Sequence, residues 1–141
     1  MKLEILSFTW NLFKSDDVVS VTAMTQIWEV TVLEEHTPII TVLKPSTISI
    51  VHMENWVKKE TDFAIWGWVM EVSNSEVKFL IDMLVSVDEV DMDLAEKARN
   101  DALAMMEKFK DAKDKVDMEK FIQAEDMLLK SVAKLKLGRL K

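Results

Sequence analysis

The sequence predicts an all-β plus α protein, with an N-terminal antiparallel β-sandwich or barrel followed by a C-terminal antiparallel two-helix hairpin. Two observations support this prediction. Before Val87, short runs rich in Val, Ile, Thr and Phe recur at even spacing between turn signals, as in sandwiches and barrels. After Val87, apolar residues recur three or four apart, as on one face of a helix. We therefore divide the chain into a β domain, residues 1–87, and a helical domain, residues 88–141.

The β domain contains eight runs of strand character, separated by short turn-forming stretches. The runs are Lys2–Leu6, Val18–Thr22, Glu29–Leu33, Ile39–Leu43, Thr47–Met53, Asp62–Trp66, Val69–Val72 and Glu76–Met83. In Thr47–Ile50 polar and apolar side chains alternate, so one face of that strand should be buried and the other exposed to water.

The helical domain contains two apolar stripes joined by a polar reversal at residues 113–117. The first stripe consists of Leu94, Ala98, Ala102, Met105 or Met106, and Phe109, and the second of Phe121, Ala124, Leu128, Val132 and Leu135. Asp91 is placed to cap the first helix, and Gly138 suits the end of the second. Because the reversal is short, the two helices should lie antiparallel.

Composition excludes several classes of function. The net charge is −7 and no cluster of Lys and Arg occurs, which argues against a nucleic-acid partner. Cysteine is absent and only two histidines are present, so we expect no metal site and no cofactor. No Gly-rich phosphate loop, nucleophile elbow or catalytic triad is recognisable, so we expect no catalytic residue. The start of the chain lacks a secretion-signal pattern, and no apolar run approaches the roughly 20 residues that span a bilayer.

Four ordered segments resemble those of one known family. They are Trp28–Thr41, Leu43-Lys44-Pro45, Ala64–Val72, and Val90–Ala95. The first resembles a Gly-Glu that leads through an apolar strand to His-x-Pro, and the third resembles a Gly-Gly-apolar-x-Glu-Val signature. Together with the order of sandwich and hairpin, they make the chain similar to the epsilon subunit of F-type ATP synthases over essentially its whole length.

The resemblance implies a mechanical and regulatory role without catalysis. In this family the sandwich clamps the gamma subunit and rests on the ring of c subunits, so that ion flow, rotation of the stalk and ATP synthesis are coupled. The C-terminal hairpin can extend along gamma toward the alpha/beta head and block ATP hydrolysis. The resemblance places the protein at the cytoplasmic face of a bacterial membrane, or at the equivalent face of an organelle, held to the membrane only indirectly through its partners.

The resemblance also implies particular contact residues. Glu29 and His36 match family positions in loops that face the c ring, and Thr37 and Pro38 are subunit-contact residues of the same segment. The alternative is that Glu29 and His36 are solvated loop residues, and His36 could instead satisfy backbone groups of its own turn. Val90, Asp91 and Ala95 match weakly a nucleotide-sensing motif known in some members. Leu94 replaces the arginine that holds phosphate there, which argues against ATP binding, and Asp91 is explained equally well as a helix cap.

The number of glycines is low, and the tryptophans stand where glycines are expected. The chain has two glycines, against about ten at average usage, and five tryptophans. Asn55-Trp56 lies between two strand-like runs, where Asn-Gly is the usual hairpin signal because both turn residues need positive φ. We hypothesise that the source reads UGA as glycine and that these codons are written here as tryptophan. The alternative is that the five tryptophans are genuine.

One other class of function stays open from the sequence. A freestanding β-sandwich adaptor with a helical arm would show the same pattern and bind a different partner. Copurification with gamma and the c ring separates the two interpretations.

Overall fold

A computed structural model describes residues 1–8, 11–111 and 113–140 of the chain. Its strands are β1 Lys2–Leu6, β2 Asn11–Ser15, β3 Val18–Met24, β4 Glu29–Leu33, β5 Ile39–Val42, β6 Ser46–Glu54, β7 Val57–Trp66, β8 Val69–Ser73, β9 Glu76–Leu80 and β10 Met83–Ser86. A short 3-10 helix, Val87–Glu89, leads to the helices α1 Met92–Phe109 and α2 Lys115–Gly138. The predicted fold class, a β domain followed by two helices, is confirmed.

The strands form two five-stranded sheets rather than one closed barrel. Sheet A has the order β2-β1-β9-β8-β5, and sheet B has the order β10-β7-β6-β3-β4. The pairing is antiparallel except between β1 and β9, which run parallel. The chain passes from sheet A to sheet B at Ile81 and Asp82, where the amide of Ile81 donates to Leu6 and that of Asp82 donates to Trp66. The predicted single strand Glu76–Met83 is therefore wrong, because this crossing divides it into β9 and β10.

Large aliphatic and aromatic side chains fill the space between the two sheets. Ile5, Ile50 and Phe79 are among those fully removed from solvent in this core. Each such side chain contributes about 1.5–3 kcal/mol by leaving water, so this core is the main source of stability.

Strand β7 is buried on both faces at its end. Phe63 and Ile65 point into the core between the sheets, whereas Ala64 and Trp66 belong to a second apolar cluster. That second cluster, which we call the docking core, also contains Ala133 and Leu137 of α2. The hairpin therefore packs on the outer face of sheet B and forms a third layer.

The two helices begin at capped residues and pack along each other. The carboxylate of Asp91 accepts from the amides of Asp93 and Leu94 at 3.1 and 3.2 Å, as predicted for the first helix. Asp114 caps α2 by accepting from the amide of Val116 at 3.1 Å. Each cap satisfies amides that the first helical turn leaves without a carbonyl partner.

The predicted helical stripes are partly wrong. Ala102 and Ala124 are buried as predicted, but Leu94 is 65% exposed and Val132 is 45% exposed. Their places are taken by small neighbours, Ala95 on α1 and Ser131 and Ala133 on α2. Small side chains let the helix backbones approach closely, so the larger ones lie at the margins of the contact.

Strand β2 and the β6–β7 turn differ in how well the sequence predicts them. The edge strand β2 was not predicted, since its five residues are partly exposed and do not alternate. The predicted turn at Asn55-Trp56 is confirmed: β6 pairs with β7 on either side, and φ is 51° and 66° at the two residues. Trp10, one of the five tryptophans that stand where glycines are expected, lies outside the described residues.

Candidate functional site

One end of the sandwich presents a rigid turn that exposes apolar side chains. The hydroxyl of Thr25 donates to the carbonyl of Trp28 at 2.8 Å and accepts from the amides of Ile27 and Trp28. Gln26 donates from its side chain to the carbonyl of Leu43 at 3.1 Å. The turn is thereby held in one shape while Ile27 and Trp28 remain 77% and 63% exposed.

The outer face of sheet A carries an apolar row next to this turn. Leu6 pairs with Leu80, Leu80 with Val69, and Val69 with Val42, so the four side chains lie side by side across four strands. Val42 is 54% exposed and Leu80 37% exposed, and Ile40 lies on the same face at 76% exposed. A contiguous apolar patch of this kind is typical of a surface that another protein covers.

Aromatic residues extend the patch at its margin. Phe8 and Trp68 lie edge to face, with ring centroids 6.2 Å apart, and both are more than half exposed. The indole nitrogen of Trp68 donates to the carboxylate of Asp82 at 2.9 Å, which fixes the ring in place. We call Leu6, Val69, Leu80, Val42, Ile40, Phe8 and Trp68 the apolar face of sheet A.

The predicted subunit-contact residues divide into two groups. Glu29 is the exposed first residue of β4, next to the Thr25–Trp28 turn. His36, Thr37 and Pro38 follow the opposite end of the same strand. Since a strand rises about 3.3 Å per residue, β4 alone separates these groups by roughly 13 Å. The structure does not bring the four residues together in one patch.

The turn that contains His36 is ordered by local contacts. The His36 amide donates to the carbonyl of Leu33 at 3.2 Å, and its ring Nδ1 lies 2.7 Å from the carbonyl of Thr37. A carbonyl can only accept, so this contact requires the proton on Nδ1. Glu34 lies in the same turn. Its pKa is lowered mainly by a hydrogen bond from the Met1 ammonium and to a smaller extent by one from Ser75.

A cleft of about 530 Å³ lies where the hairpin meets the sandwich, and it gathers the residues of the weak nucleotide motif. Val90, Asp91, Leu94 and Ala95 form one side, and the other includes Lys130 and Lys134 of α2. The cleft thus contains two cations that the sequence pattern did not single out. The carboxylate of Asp91 already caps α1, and Leu94 offers no hydrogen-bond donor.

The ammonium groups of both lysines lie over an aromatic ring. Lys130 Nζ is 5.5 Å and Lys134 Nζ is 5.1 Å from the ring centroid of Trp66. Lys130 also pairs with Asp126 at 2.8 Å. Through these contacts, the two lysine ammonium groups help to hold α2 on the sandwich.

The parts of the chain described by the structure contain no cluster of three His, Cys, Asp or Glu residues placed to hold a metal. In the same residues, no helix combines the length and apolarity needed to cross a membrane.

Comparison with known proteins identifies relatives over both halves. A family model described as ATP synthase, Delta/Epsilon chain, beta-sandwich domain matches residues 1–87. The ATP synthase epsilon chain of Chloroflexus aurantiacus (strain J-10-fl) is 36% identical over 85 residues, which are 60% of this chain and 58% of that protein. This match spans less than two thirds of that relative's length. The epsilon chain of Herpetosiphon aurantiacus is 32% identical over 127 residues, which are 90% of this chain and 86% of that protein.

A solved structure shares the whole fold. A chain in the Euglena gracilis mitochondrial ATP synthase structure, which contains OSCP, F1 and the c-ring, superposes with a TM-score of 0.77 at 21% identity. The superposition covers 99% of this chain and 80% of that one. The arrangement of sandwich and hairpin is therefore shared with that chain.

Proposed function

The chain belongs to the ATP synthase delta/epsilon chain family, and on that premise we propose that it is a non-catalytic subunit of the rotating central stalk of an F-type ATP synthase. The observation that carries the proposal is the two-part build, a ten-strand sandwich followed by a helical hairpin, in a chain whose match to the Herpetosiphon epsilon chain covers 90% of its length. In this role the protein passes torque by surface contact and takes part in ATP synthesis and ion transport without any bond chemistry of its own.

We assign the apolar face of sheet A to the contact with gamma. A subunit that turns with gamma needs a stable contact, and long-lived interfaces are more apolar than transient ones. Val42, Leu80 and Ile40 supply such a surface, with Phe8 at its margin.

We assign Glu29 to the contact with the c ring. It lies at the end of the sandwich beside the exposed turn residues Ile27 and Trp28, where a ring could dock against the loop tips. His36, Thr37 and Pro38 follow the other end of β4, and we propose that they belong to a second contact. We assign this second contact to gamma.

Copurification from an assembled synthase tests these assignments. Val42→Asp places a charge in the apolar face and should reduce the recovery of gamma at least tenfold, since burying an unpaired charge is costly. Val57→Asp is the matched control, because Val57 is also an exposed strand valine, 66% exposed, but lies beside the β6–β7 turn. Glu29→Lys should weaken retention of the c ring and spare gamma.

Three results would count against the proposal. Recovery of neither gamma nor the c ring with the unaltered chain would favour a freestanding adaptor. Equal recovery of gamma by the Val42 and Val57 variants would remove the assigned gamma surface, and unchanged retention of the c ring by Glu29→Lys would remove the ring contact.

For the hairpin we propose a regulatory role through transient contact with the alpha/beta head. The motion requires two packings of similar free energy. Removal of residues 88–141 should raise ATP hydrolysis by the assembled complex if the hairpin acts as a brake. Unchanged hydrolysis after the truncation would exclude inhibition in this protein.

We expect no tight ATP binding in the cleft. Leu94 replaces the phosphate-holding arginine, and the Lys130 and Lys134 ammonium groups are turned to Trp66. Calorimetric titration with ATP should therefore show no saturable binding in the micromolar range. Tight binding by the unaltered chain would contradict this expectation.

We propose that the protein works at the cytoplasmic face of a bacterial membrane or the equivalent organelle face. Its attachment there depends on gamma and the c ring. Membrane fractions that lack the c ring should therefore not retain it.

We also propose that Trp28, Trp56 and Trp68, the exposed tryptophans among the described residues, are glycines in the source. Trp56 has a φ of 66° and is 96% exposed, so the turn needs a left-handed residue and gains no burial from the indole. Trp28 and Trp68 are also more than half exposed, which is unusual for this residue type. The mass of the peptide that contains Asn55, taken from the native organism, distinguishes the two residues directly, and a tryptophan mass there would exclude recoding at position 56.

A further inference from the structure

Trp66 lies at the centre of the contact between the hairpin and the sandwich. It ends β7, is 7% exposed, and packs in the docking core with Ala133 and Leu137. Lys130 and Lys134, one helical turn apart on α2, both bring their ammonium groups over its ring. Residues four apart lie on the same helix face, so both lysines contact the ring from the same side of α2.

Most other α2 side chains in this contact are small. Ala133 and Ser131 offer little apolar surface, and Ala64 faces them from β7. The indole is therefore the largest apolar surface in the docking core, and its face also attracts cations, more strongly where water is excluded. Asp126, one turn before Lys130, pairs with that lysine at 2.8 Å and helps hold its side chain.

We infer that Trp66, with the Lys130 and Lys134 ammonium groups over its ring, forms the contact that keeps the hairpin docked on the sandwich and sets how often the hairpin undocks. We call this contact the fastening. The fastening belongs to the chain itself and operates without a bound ligand. It deepens the proposed regulatory role, on which its importance in the synthase rests, but docking is a property of the isolated protein.

Single cysteine reporters test the fastening in the full-length chain, which contains no cysteine of its own. Ala133→Cys places a thiol in the docking core, where it is protected only while the hairpin is docked. Ala23→Cys, in the core between the sheets, is protected until the sandwich unfolds. Labelling rates with a thiol reagent at the two positions then separate undocking from global unfolding.

In the Ala133→Cys chain, the double change Lys130→Met and Lys134→Met should raise the labelling rate about tenfold, because two cation–aromatic contacts are lost while the apolar stems remain. Trp66→Leu should do the same, and Trp66→Gly should give at least as large an increase. Lys136→Met is the matched control, since Lys136 is an exposed lysine of the same helix end. Labelling at position 23 should not change in any of these backgrounds.

Equal labelling of Ala133→Cys in the double lysine variant and in the Lys136→Met control would overturn the inference. So would a parallel rise at positions 133 and 23, because the hairpin and the sandwich would then open together. Failure to copurify with gamma would leave these rates untouched, so the inference and the proposed function fail independently.

Discussion

The sandwich and the hairpin are held together by different kinds of contact. Between the sheets, the buried residues are mainly Leu, Ile, Val and Phe, and they are contributed by both sheets. In the hairpin, α1 buries Ala95 and Ala102, and most buried positions of α2 are also small. Because each buried methylene contributes about 0.8 kcal/mol, the sandwich gains far more per residue than the hairpin.

This difference supports the proposal that the hairpin can undock while the sandwich stays folded. Loss of the hairpin contacts removes modest apolar area and leaves the main core intact. The helices also keep apolar side chains at the surface, such as Leu103 and Ile122, which are 47% and 61% exposed. A hairpin of this kind can exchange one apolar contact for another at small net cost.

The largest expected effect is in the main core. Phe79→Ala should lower the free energy of unfolding by about 3–5 kcal/mol, because it leaves a cavity between the sheets. Leu137→Ala, at a residue equally inaccessible to solvent but in the docking core, should release the hairpin and leave the sandwich transition in place. Urea titrations followed by hydrogen exchange of strand and helix amides measure both. If Leu137→Ala shifts the strand transition as far as Phe79→Ala, the two regions are one cooperative unit.

A smaller effect is expected where the two helices meet at their far ends. A side chain added at Gly138 would meet the Sδ atom of Met92 and lie 3.2 Å from Val90 Cγ1. Gly138→Leu should therefore destabilise the hairpin by about 1–3 kcal/mol through overpacking. Hydrogen exchange measures this effect, because the α1 amides should exchange faster in Gly138→Leu. Arg139→Leu, at an exposed neighbouring residue, is the control. Identical exchange in the two variants would show that the helix ends do not touch as described.

At the β6–β7 turn we expect a gain in stability. Trp56 has a left-handed backbone conformation, which glycine adopts at lower cost. Trp56→Gly should therefore raise the free energy of unfolding by about 1 kcal/mol. Trp28→Gly is the matched control, since Trp28 is exposed but is not among the described residues with positive φ. There the added backbone freedom should cost about 0.5–1 kcal/mol. Thermal unfolding shows whether each variant is more or less stable than the unaltered chain. A lower stability of Trp56→Gly would contradict the expected strain at position 56.

The smallest effect concerns an exposed ion pair beside that turn. Lys59 lies 2.7 Å from Glu54 and lowers the pKa of Glu54 by hydrogen bonding and by its charge. A lowered folded-state pKa stabilises the fold above the unfolded-state value, and this contribution is lost as pH falls through the folded-state value. Lys59→Ala should raise the Glu54 pKa in an NMR titration but barely change stability near neutral pH, because solvent screens exposed pairs. An unchanged Glu54 pKa would show that the pair does not form in solution.

Features encoded by neighbouring residues were predictable from the sequence. Alternation in Thr47–Ile50 predicted a half-buried strand, Asp91 predicted a helix start, and Asn55-Trp56 predicted a hairpin turn. Each depends on backbone geometry and contacts within a few residues, so the local pattern contains the needed information. The change of period near Val87 likewise reflects the repeat of side chains along strands and helices.

Tertiary structure decided the features that depend on distant parts of the chain. It placed Glu29 and His36 at opposite ends of one strand, and it left Leu94 exposed while burying Ala95. It also brought Lys130 and Lys134 over Trp66, more than sixty positions away in the sequence. The sequence by itself determined most of the segments that become strands and helices, because those preferences are local, but it did not indicate β2 or the division between β9 and β10. Which faces those segments cover was decided only by packing, because a side chain's burial depends on what the rest of the fold brings against it.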